Sequence, residues 1–144
     1  MKLSFSVFIF GWFMIAGCSH TAESPMIVNE LIGTEWVLEE IDGRGVVDNV
    51  QSTLRFDGND RIIGWGGCNR YFTGVGSAGN GIKLGPIGST RRICPAVVMD
   101  QEDRFFQALE KARTIRIEGP HLVVDCEGIK KPLQFVRLKS SGGS

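Results

Sequence analysis

Glycine is concentrated in one stretch of the chain, between Gly64 and Gly88, where the surrounding residues alternate between apolar and polar as in β-strands. Nine of the chain's 19 glycines lie in this stretch. Glycine inside paired strands marks bulges, sharp bends and places where two backbones approach closely. A strongly curved sheet needs such positions. We therefore expect these glycines to shape an antiparallel sheet rather than to bind a ligand.

A ligand-binding or catalytic loop is the alternative explanation for so many glycines. A phosphate-binding loop needs glycines followed by a helix whose N-terminus meets the anion, whereas strand-like segments follow the glycines here. A nucleophile elbow needs the pattern Gly-x-Ser-x-Gly, which the segment 85–89 (GPIGS) does not supply. Both enzymatic interpretations therefore fail on their sequence context.

The N-terminus has the organisation of a bacterial lipoprotein signal. A lysine near the start precedes an almost wholly apolar stretch, residues 3–16, and small residues then lead to Cys18. This arrangement resembles a lipobox, in which the cysteine is acylated and becomes the first residue of the mature chain. An ordinary secretory signal followed by an unrelated cysteine is the alternative. We expect residues 1–17 to be a signal peptide and Cys18 to be the site of lipid attachment.

The residues around the lipid site predict where the protein is located. Residues 18–29 are mostly polar and predict a lipidated tether between the membrane and a folded domain. Ser19, rather than aspartate, follows the cysteine, and resemblance to Gram-negative lipoproteins then implies export to the outer membrane. We expect the domain to face the periplasm and to contact the membrane through its acyl chains, since each buried CH₂ adds about 0.8 kcal/mol.

Length and charge limit the size of the domain and its choice of partner. Without the signal the chain has 144 − 17 = 127 residues, which is enough for one domain with one core. Removal of Lys2 leaves 16 − 1 = 15 basic residues against 16 acidic ones. Such a balance argues against a nucleic acid as partner, because phosphates require a basic surface.

The apolar pattern predicts strands, then one helix, then strands again. Residues 97–112 place apolar side chains at helical spacing, with Gln101 on the polar face, and Pro95 suits a helix start. The links between strands are short, so neighbouring strands should pair antiparallel. We expect a mainly β, α+β fold, in which a curved antiparallel meander or half-barrel packs around one α-helix. The predicted strands are 36–41, 52–57, 61–65, 70–75, 82–84, 87–93, 114–118, 122–124 and 133–138.

Three segments carry a resemblance to a known family. They are GWGGCNRYFTGV from Gly64, IKLGPIGSTRRICP from Ile82 and MDQEDRFFQALEKARTIRIEG from Met99. In this order and with these gaps they resemble the signature blocks of the META/HslJ domain family, in which a tryptophan strand, here starting at Trp36, comes first. The resemblance covers residues 30–139 as one domain and leaves 140–144 as a flexible tail. Cys126 is an addition to the family pattern.

The resemblance implies a fold and a cellular setting but no reaction. Family members are similar to a half-open β meander around a helix and are typically bacterial envelope proteins. They are often lipoproteins and are linked by name to heat shock and in some cases to antibiotic tolerance. No enzymatic activity is established for them. Because the chain combines a lipid anchor with a small domain that lacks a catalytic constellation, we expect a non-enzymatic protein, without cofactor or metal, that acts through an unidentified envelope protein.

Three cysteines remain once Cys18 is assigned to the lipid. Cys68 and Cys94 lie in two neighbouring signature segments, 26 positions apart, and the oxidising periplasm favours disulfides, so we predict a Cys68–Cys94 disulfide. Cys126 would then be a free thiol at a turn, exposed and reactive, or would pair with one of the other two. A metal site of the three cysteines and His121 is the alternative, although a Cys-x₂-Cys pair is lacking.

Charged and titratable residues near these segments have two explanations. Arg91 or Arg92 would pair with Glu102 or Asp103 and lock the helix to the sheet, or these charges would be solvated at the strand edges and prevent edge-to-edge association. We expect His121, which follows a Gly-Pro pair, to be a solvent-facing turn residue.

Three functions are open to a chain of this kind. The first is a non-enzymatic outer-membrane lipoprotein that supports envelope stress or antibiotic tolerance through protein interaction. The second is a carrier of lipid or another small apolar ligand, or a pilotin-like secretion accessory, because a half-barrel around a helix can leave an apolar opening. The third is a thiol-reactive redox protein that uses Cys126.

Overall fold

The structure is a computed structural model that describes residues 26–138 except Asn59 and Asn80. The predicted signal peptide, Cys18 and the tail 140–144 lie outside the described residues, as does most of the predicted tether. A short helix, α1, spans Met26–Leu31, so the last residues of the predicted tether are helical. Leu31 is fully buried and joins this helix to the domain.

Ten strands and a second helix follow α1 in the described part of the chain. The strands are β1 (Glu35–Ile41), β2 (Arg44–Gly45), β3 (Thr53–Phe56), β4 (Arg61–Trp65), β5 (Arg70–Ala78), β6 (Gly81–Leu84), β7 (Gly88–Ser89), β8 (Ala112–Glu118), β9 (His121–Cys126) and β10 (Leu133–Arg137), and the helix α2 spans Ala96–Glu110 between β7 and β8. Neither helix of this region is long and apolar enough to span a bilayer.

The strands form one curved antiparallel sheet in the order β6-β5-β4-β3-β1-β10-β9-β8, with β2 attached to β1 and β7 attached to β5. Consecutive strands pair because the links between them are short. The first and last strands, β1 and β10, also pair, with Trp36 opposite Arg137. Strand β6 lies against β8 at the other end of the order, so the sheet is a nearly closed half-barrel. The predicted fold class is confirmed.

Helix α2 packs its apolar face into the concave side of this sheet. Phe105 is fully buried, and its ring meets the ring of Tyr71 edge-on, with centroids 5.7 Å apart. The ring of Phe135 in β10 also contacts the ring of Phe105, with centroids 6.1 Å apart. Leu54 and Phe56 of β3 are buried together, as the alternation of that strand predicts. Burial of each such side chain contributes about 1.5–3 kcal/mol, which makes the helix the centre of the core.

The structure departs from the sequence pattern in two segments and at one helix position. Segment 87–93, predicted as a strand, contains only the two-residue β7, because side chains bind much of its backbone. Segment 76–81, predicted as a turn, is mostly strand, since β5 continues to Ala78 and β6 begins at Gly81. Gln101, expected on the polar face of α2, is fully buried because its amide has partners inside the domain.

Candidate functional site

The signature segment GGCN forms a tight turn after β4. The N–H of Gly66 donates to the carbonyl of Asn69 at 2.7 Å. A β-carbon at Gly66 would lie 2.6 Å from Glu102 Oε2, so only glycine allows α2 to approach this backbone so closely. Gly67 has a φ of +130°, a conformation that side chains rarely allow. At these two positions glycine therefore determines the shape of the backbone.

The carboxylate of Glu102 holds this turn against helix α2. Its Oε2 accepts hydrogen bonds from the backbone N–H groups of Cys68 at 2.9 Å and Asn69 at 2.6 Å. Its Oε1 accepts a third hydrogen bond from Asn69 Nδ2 at 2.7 Å. Glu102 is only 3 % exposed, and such a buried carboxylate is tolerated because three donors replace the water it has lost.

Asn69 connects the same turn to the loop that precedes the helix. Its Oδ1 accepts hydrogen bonds from the Arg92 N–H at 2.6 Å and the Thr90 hydroxyl at 2.9 Å. Its Nδ2 donates to the Arg92 carbonyl at 3.3 Å as well as to Glu102. Because donors lie on one side of the amide and acceptors on the other, Asn69 has a single orientation. The irregular loop thus obtains from Asn69 the hydrogen bonds that a strand neighbour would supply.

A covalent bond reinforces these contacts. Cys68 and Cys94 form a disulfide with their Cα atoms 6.0 Å apart, which confirms the predicted pair. Cys94 lies two residues before α2 begins, so the bond joins the turn to the start of the helix. We refer to Cys68, Asn69, Cys94 and Glu102 together as the helix clamp.

A second buried network extends the clamp toward β3. The backbone N–H of Val47 donates to Gln101 Oε1 at 2.6 Å, and Gln101 Nε2 donates to the Ser52 hydroxyl at 3.3 Å. That hydroxyl donates in turn to the Gly66 carbonyl at 2.6 Å. These bonds explain why a polar residue occupies the buried face of α2, and they attach the loop between β2 and β3 to the helix.

Of the two explanations for Arg91 and Arg92, the structure contradicts the ion pair with the helix and agrees with solvated side chains. Arg91 and Arg92 are exposed, and neither forms an ion pair with any residue in the described ranges. The oxygens of Glu102 are instead occupied by backbone and amide donors, and Asp103 faces solvent. Backbone N–H groups reach a buried carboxylate without burying a second charge, whereas an arginine partner would have to be desolvated too.

The expectation of an exposed, reactive Cys126 is also wrong. Cys126 is the unpaired cysteine of the described region, and it is buried at the end of β9. Its Sγ lies 3.5 Å from the Val124 carbonyl. Burial raises the pKa of the Cys126 thiol to about 12, because the thiolate loses its hydration. A redox function through this thiol is therefore not supported, since the thiolate is the reactive form.

We predict that Cys126 reacts very slowly with alkylating reagents while the chain is folded. With a pKa of about 12, only about one thiol in 10⁴ is ionised at pH 8. Alkylation by iodoacetamide at pH 8 should therefore be at least about 100-fold slower than in urea. Peptide mass mapping reports on Cys126 alone. Equal rates in the folded and unfolded chain would contradict its burial.

The environment of His121 also differs from the prediction. It is the first residue of β9 rather than a turn residue, and its Nε2 lies 3.4 Å from Glu39 Oε2 on the neighbouring surface. Within residues 26–138, as far as the structure describes them, no three histidine, cysteine or acidic side chains are grouped as metal ligands would be. The structure thus does not bring His121 together with the three cysteines.

One glycine motif has the spacing of a nucleotide-binding pattern but a different structure. Residues 74–79 (GVGSAG) have the spacing G-x-G-x-x-G. They form the end of β5 and the turn toward β6. A dinucleotide site requires a helix directly after such glycines, because the helix N-terminus binds the phosphates. The strand that follows here excludes that arrangement.

A cavity of about 410 Å³ lies beside the clamp and is lined by Asn49, Gln51, Thr53, Trp65 and Gly67. Apart from the glycine, no sequence pattern marked these residues. The available signal was Trp65, which lies on the outward face of β4 when Ile62 is assigned to the core. Its side chain is 37 % exposed, an unusual position for the largest apolar residue.

Comparison with known proteins agrees with this architecture. The META domain family matches residues 29–140. A protein from Burkholderia xenovorans with an NMR structure is similar at 23 % identity, covering 81 % of this chain and 89 % of that one with a TM-score of 0.61. A second NMR structure is 19 % identical, covering 76 % of this chain and 92 % of that one with a TM-score of 0.60. Curated proteins gave no match.

The solved structures and the family match support different conclusions. At such low identity, likeness to the two solved structures supports the fold and nothing about activity. The family match covers most of the chain and includes all residues of the helix clamp. The clamp therefore forms within the matched domain, and the chain belongs to the META domain family.

Proposed function

We propose that this protein is a non-enzymatic lipoprotein of the outer membrane that supports tolerance of envelope stress by binding another component of the envelope. The lipid on Cys18 would hold the domain at the membrane, since several acyl chains anchor stably. The domain would then act through its surface. Such a role requires a rigid scaffold and no reaction centre.

The use of the signature residues as structural bonds is the observation that supports this proposal. The side chains of Asn69 and Glu102 are occupied by hydrogen bonds within the domain, and Cys68 and Cys94 are occupied by their disulfide. A general base or nucleophile must instead reach a substrate. The polar and cysteine side chains of this motif thus serve to hold the helix to the sheet.

The lipid anchor can be tested with two substitutions at neighbouring positions. We expect Cys18→Ala to release the protein from membranes and to abolish its effect on survival under heat or antibiotic stress. Ser19→Asp serves as the matched variant, because it keeps the lipid and should move the protein to the inner membrane. Membrane fractionation and survival of a deletion strain carrying each variant measure these effects.

The outcomes separate anchoring from folding. Circular dichroism of the Cys18→Ala protein should match that of the unaltered protein, because the substituted residue precedes the domain. A soluble Cys18→Ala protein that restores full survival would count against the proposed role. If survival is lost as expected, in vivo crosslinking of the lipidated form identifies the envelope component that the unaltered protein contacts.

A further inference from the structure

The cavity beside the helix clamp lies where the ladder between β3 and β4 ends. The ladder between β3 and β4 pairs Arg55 with Ile63 and then stops. Beyond it, the Trp65 N–H donates to the Thr53 hydroxyl at 3.1 Å instead of to a backbone carbonyl. The Thr53 carbonyl is taken by the Tyr71 hydroxyl at 2.9 Å. The Thr53 side chain thus replaces a ladder hydrogen bond at the end of the β3–β4 pair, and the cavity lies beside this point.

The walls of this cavity are held in place before any ligand arrives. The loop that carries Asn49 and Gln51 is attached at one end by the Val47–Gln101 hydrogen bond at 2.6 Å. At the other end the Leu38 N–H donates to the Ser52 carbonyl at 2.8 Å. A preformed wall loses little conformational entropy when a ligand binds. The cavity is thus a built feature of the fold rather than a loose surface loop.

Trp65 presents an oriented aromatic ring at this cavity. The guanidinium of Arg70, its cross-strand partner, lies 5.0 Å from the centroid of the Trp65 ring. This cation–π contact restrains the ring while 37 % of the side chain stays exposed. Gly67 also lines the cavity, and a β-carbon at this position would lie 3.1 Å from Val50.

The remaining lining groups define the chemistry of the ligand. Asn49, Gln51 and Thr53 carry neutral groups that both donate and accept hydrogen bonds, and none of the described residues that line the cavity is charged. The amides of Asn49 and Gln51 have no hydrogen-bond partner among the described residues. These groups do not suit an anion, a metal or an apolar lipid. A ligand with adjacent hydroxyls beside a flat C–H face would suit these groups, and a pyranose sugar has both features.

We infer that this cavity binds a neutral pyranose unit of an oligosaccharide, with the sugar ring on Trp65 and its hydroxyls on Asn49 and Gln51. The inference rests on the proposed binding role and names the class of ligand. The cavity volume of about 410 Å³ falls within the range of about 300–1,000 Å³ that is usual for small-molecule sites. Glucose-type rings fit best, because their equatorial hydroxyls leave both ring faces flat and apolar.

Titration calorimetry of the full chain tests this inference. The protein is purified in a detergent whose head group is not a sugar, and the probes are chitotriose and cellotriose. These differ in the acetamido group at C2, so a preference between them identifies the source of the sugar. We expect saturable binding of at least one, with a dissociation constant of about 0.1–1 mM. Sorbitol has the hydroxyls without the ring face and should not bind.

Three variants locate the binding and guard against misfolding. Trp65→Ala should weaken binding by at least about tenfold, and Gln51→Ala, in an exposed loop, should weaken it by about three- to tenfold without affecting the fold. Phe72→Ala removes another exposed aromatic side chain, 58 % exposed, and should bind as the unaltered chain does. Thermal unfolding verifies that each variant is folded.

Several results would overturn the inference. They are absence of binding by both trisaccharides, unchanged binding by Trp65→Ala together with Gln51→Ala, or equal binding of sorbitol. The survival experiment with Cys18→Ala is independent of this titration. Loss of survival without any sugar binding would leave the anchored binding role standing and remove only the saccharide.

Discussion

Replacing Glu102 with alanine should lower the free energy of unfolding by about 3–5 kcal/mol, because three donors would lose their acceptor inside the protein. The N–H groups of Cys68 and Asn69 and the amide of Asn69 all donate to this carboxylate. An unsatisfied buried donor costs about 1–3 kcal/mol, and small domains are stable by only about 5–15 kcal/mol. Urea unfolding at pH 7, followed by circular dichroism, measures the loss.

Two further substitutions separate the hydrogen bonds from the charge of the side chain. Asp103→Ala removes an exposed carboxylate from the adjacent helix position and should change stability by less than about 0.5 kcal/mol. Glu102→Gln should have an intermediate effect, because its carbonyl can still accept the two backbone N–H groups. Its NH₂ would then face Asn69 Nδ2, which cannot turn over since its Oδ1 is bound by Thr90 and Arg92. A Glu102→Ala loss no larger than that of Asp103→Ala would contradict the clamp.

Removal of the Cys68–Cys94 disulfide should lower the free energy of unfolding by about 3.5 kcal/mol, the loop-closure value for a separation of 26 residues. The bond restricts the unfolded chain, and it ties the turn after β4 to the loop before α2. A Cys68→Ala/Cys94→Ala double variant avoids leaving a single reactive thiol. Urea unfolding of this variant and of the unaltered chain gives the difference.

A reducing agent provides the matched control for this prediction. Dithiothreitol should lower the stability of the unaltered chain to a value near that of the double variant, and it should leave the double variant unchanged. Cys126 does not confuse the comparison, because it is a thiol in both proteins. Equal stability of the oxidised chain and the double variant would show that the bond does not constrain the unfolded state.

Much of the fold was predictable because its signals are local. The alternation of Trp36 with Leu38 and of Leu54 with Phe56 assigned the buried faces of two strands, and the structure buries all four. Helical spacing placed a helix over 97–112, close to the observed Ala96–Glu110. Side-chain direction in strands and helices repeats with a fixed period, so a single sequence is enough to find these elements.

The wrong predictions for Gln101 and segment 87–93 share one cause, which is that their hydrogen-bond partners are distant in sequence. Gln101 looks like a surface residue until Val47 and Ser52, about 50 positions away in sequence, become its partners. Segment 87–93 looks like a strand until Asn69 takes the hydrogen bonds of its backbone. No period in the sequence encodes either partnership. The local pattern therefore places both in the wrong environment.

In the candidate site, too, features with a local sequence signal were predicted and features that depend on distant contacts were not. The cysteine pair was predicted from its place in two signature segments, but the burial of Cys126 and the role of Glu102 were not. The cavity at Trp65 was not predicted either, since its walls come from two strands and a distant loop. Local periodicity and family motifs thus determine the elements, their order and the disulfide. Which polar groups are buried, and where a cavity opens, depends on contacts between distant segments that form only when the sheet closes around the helix.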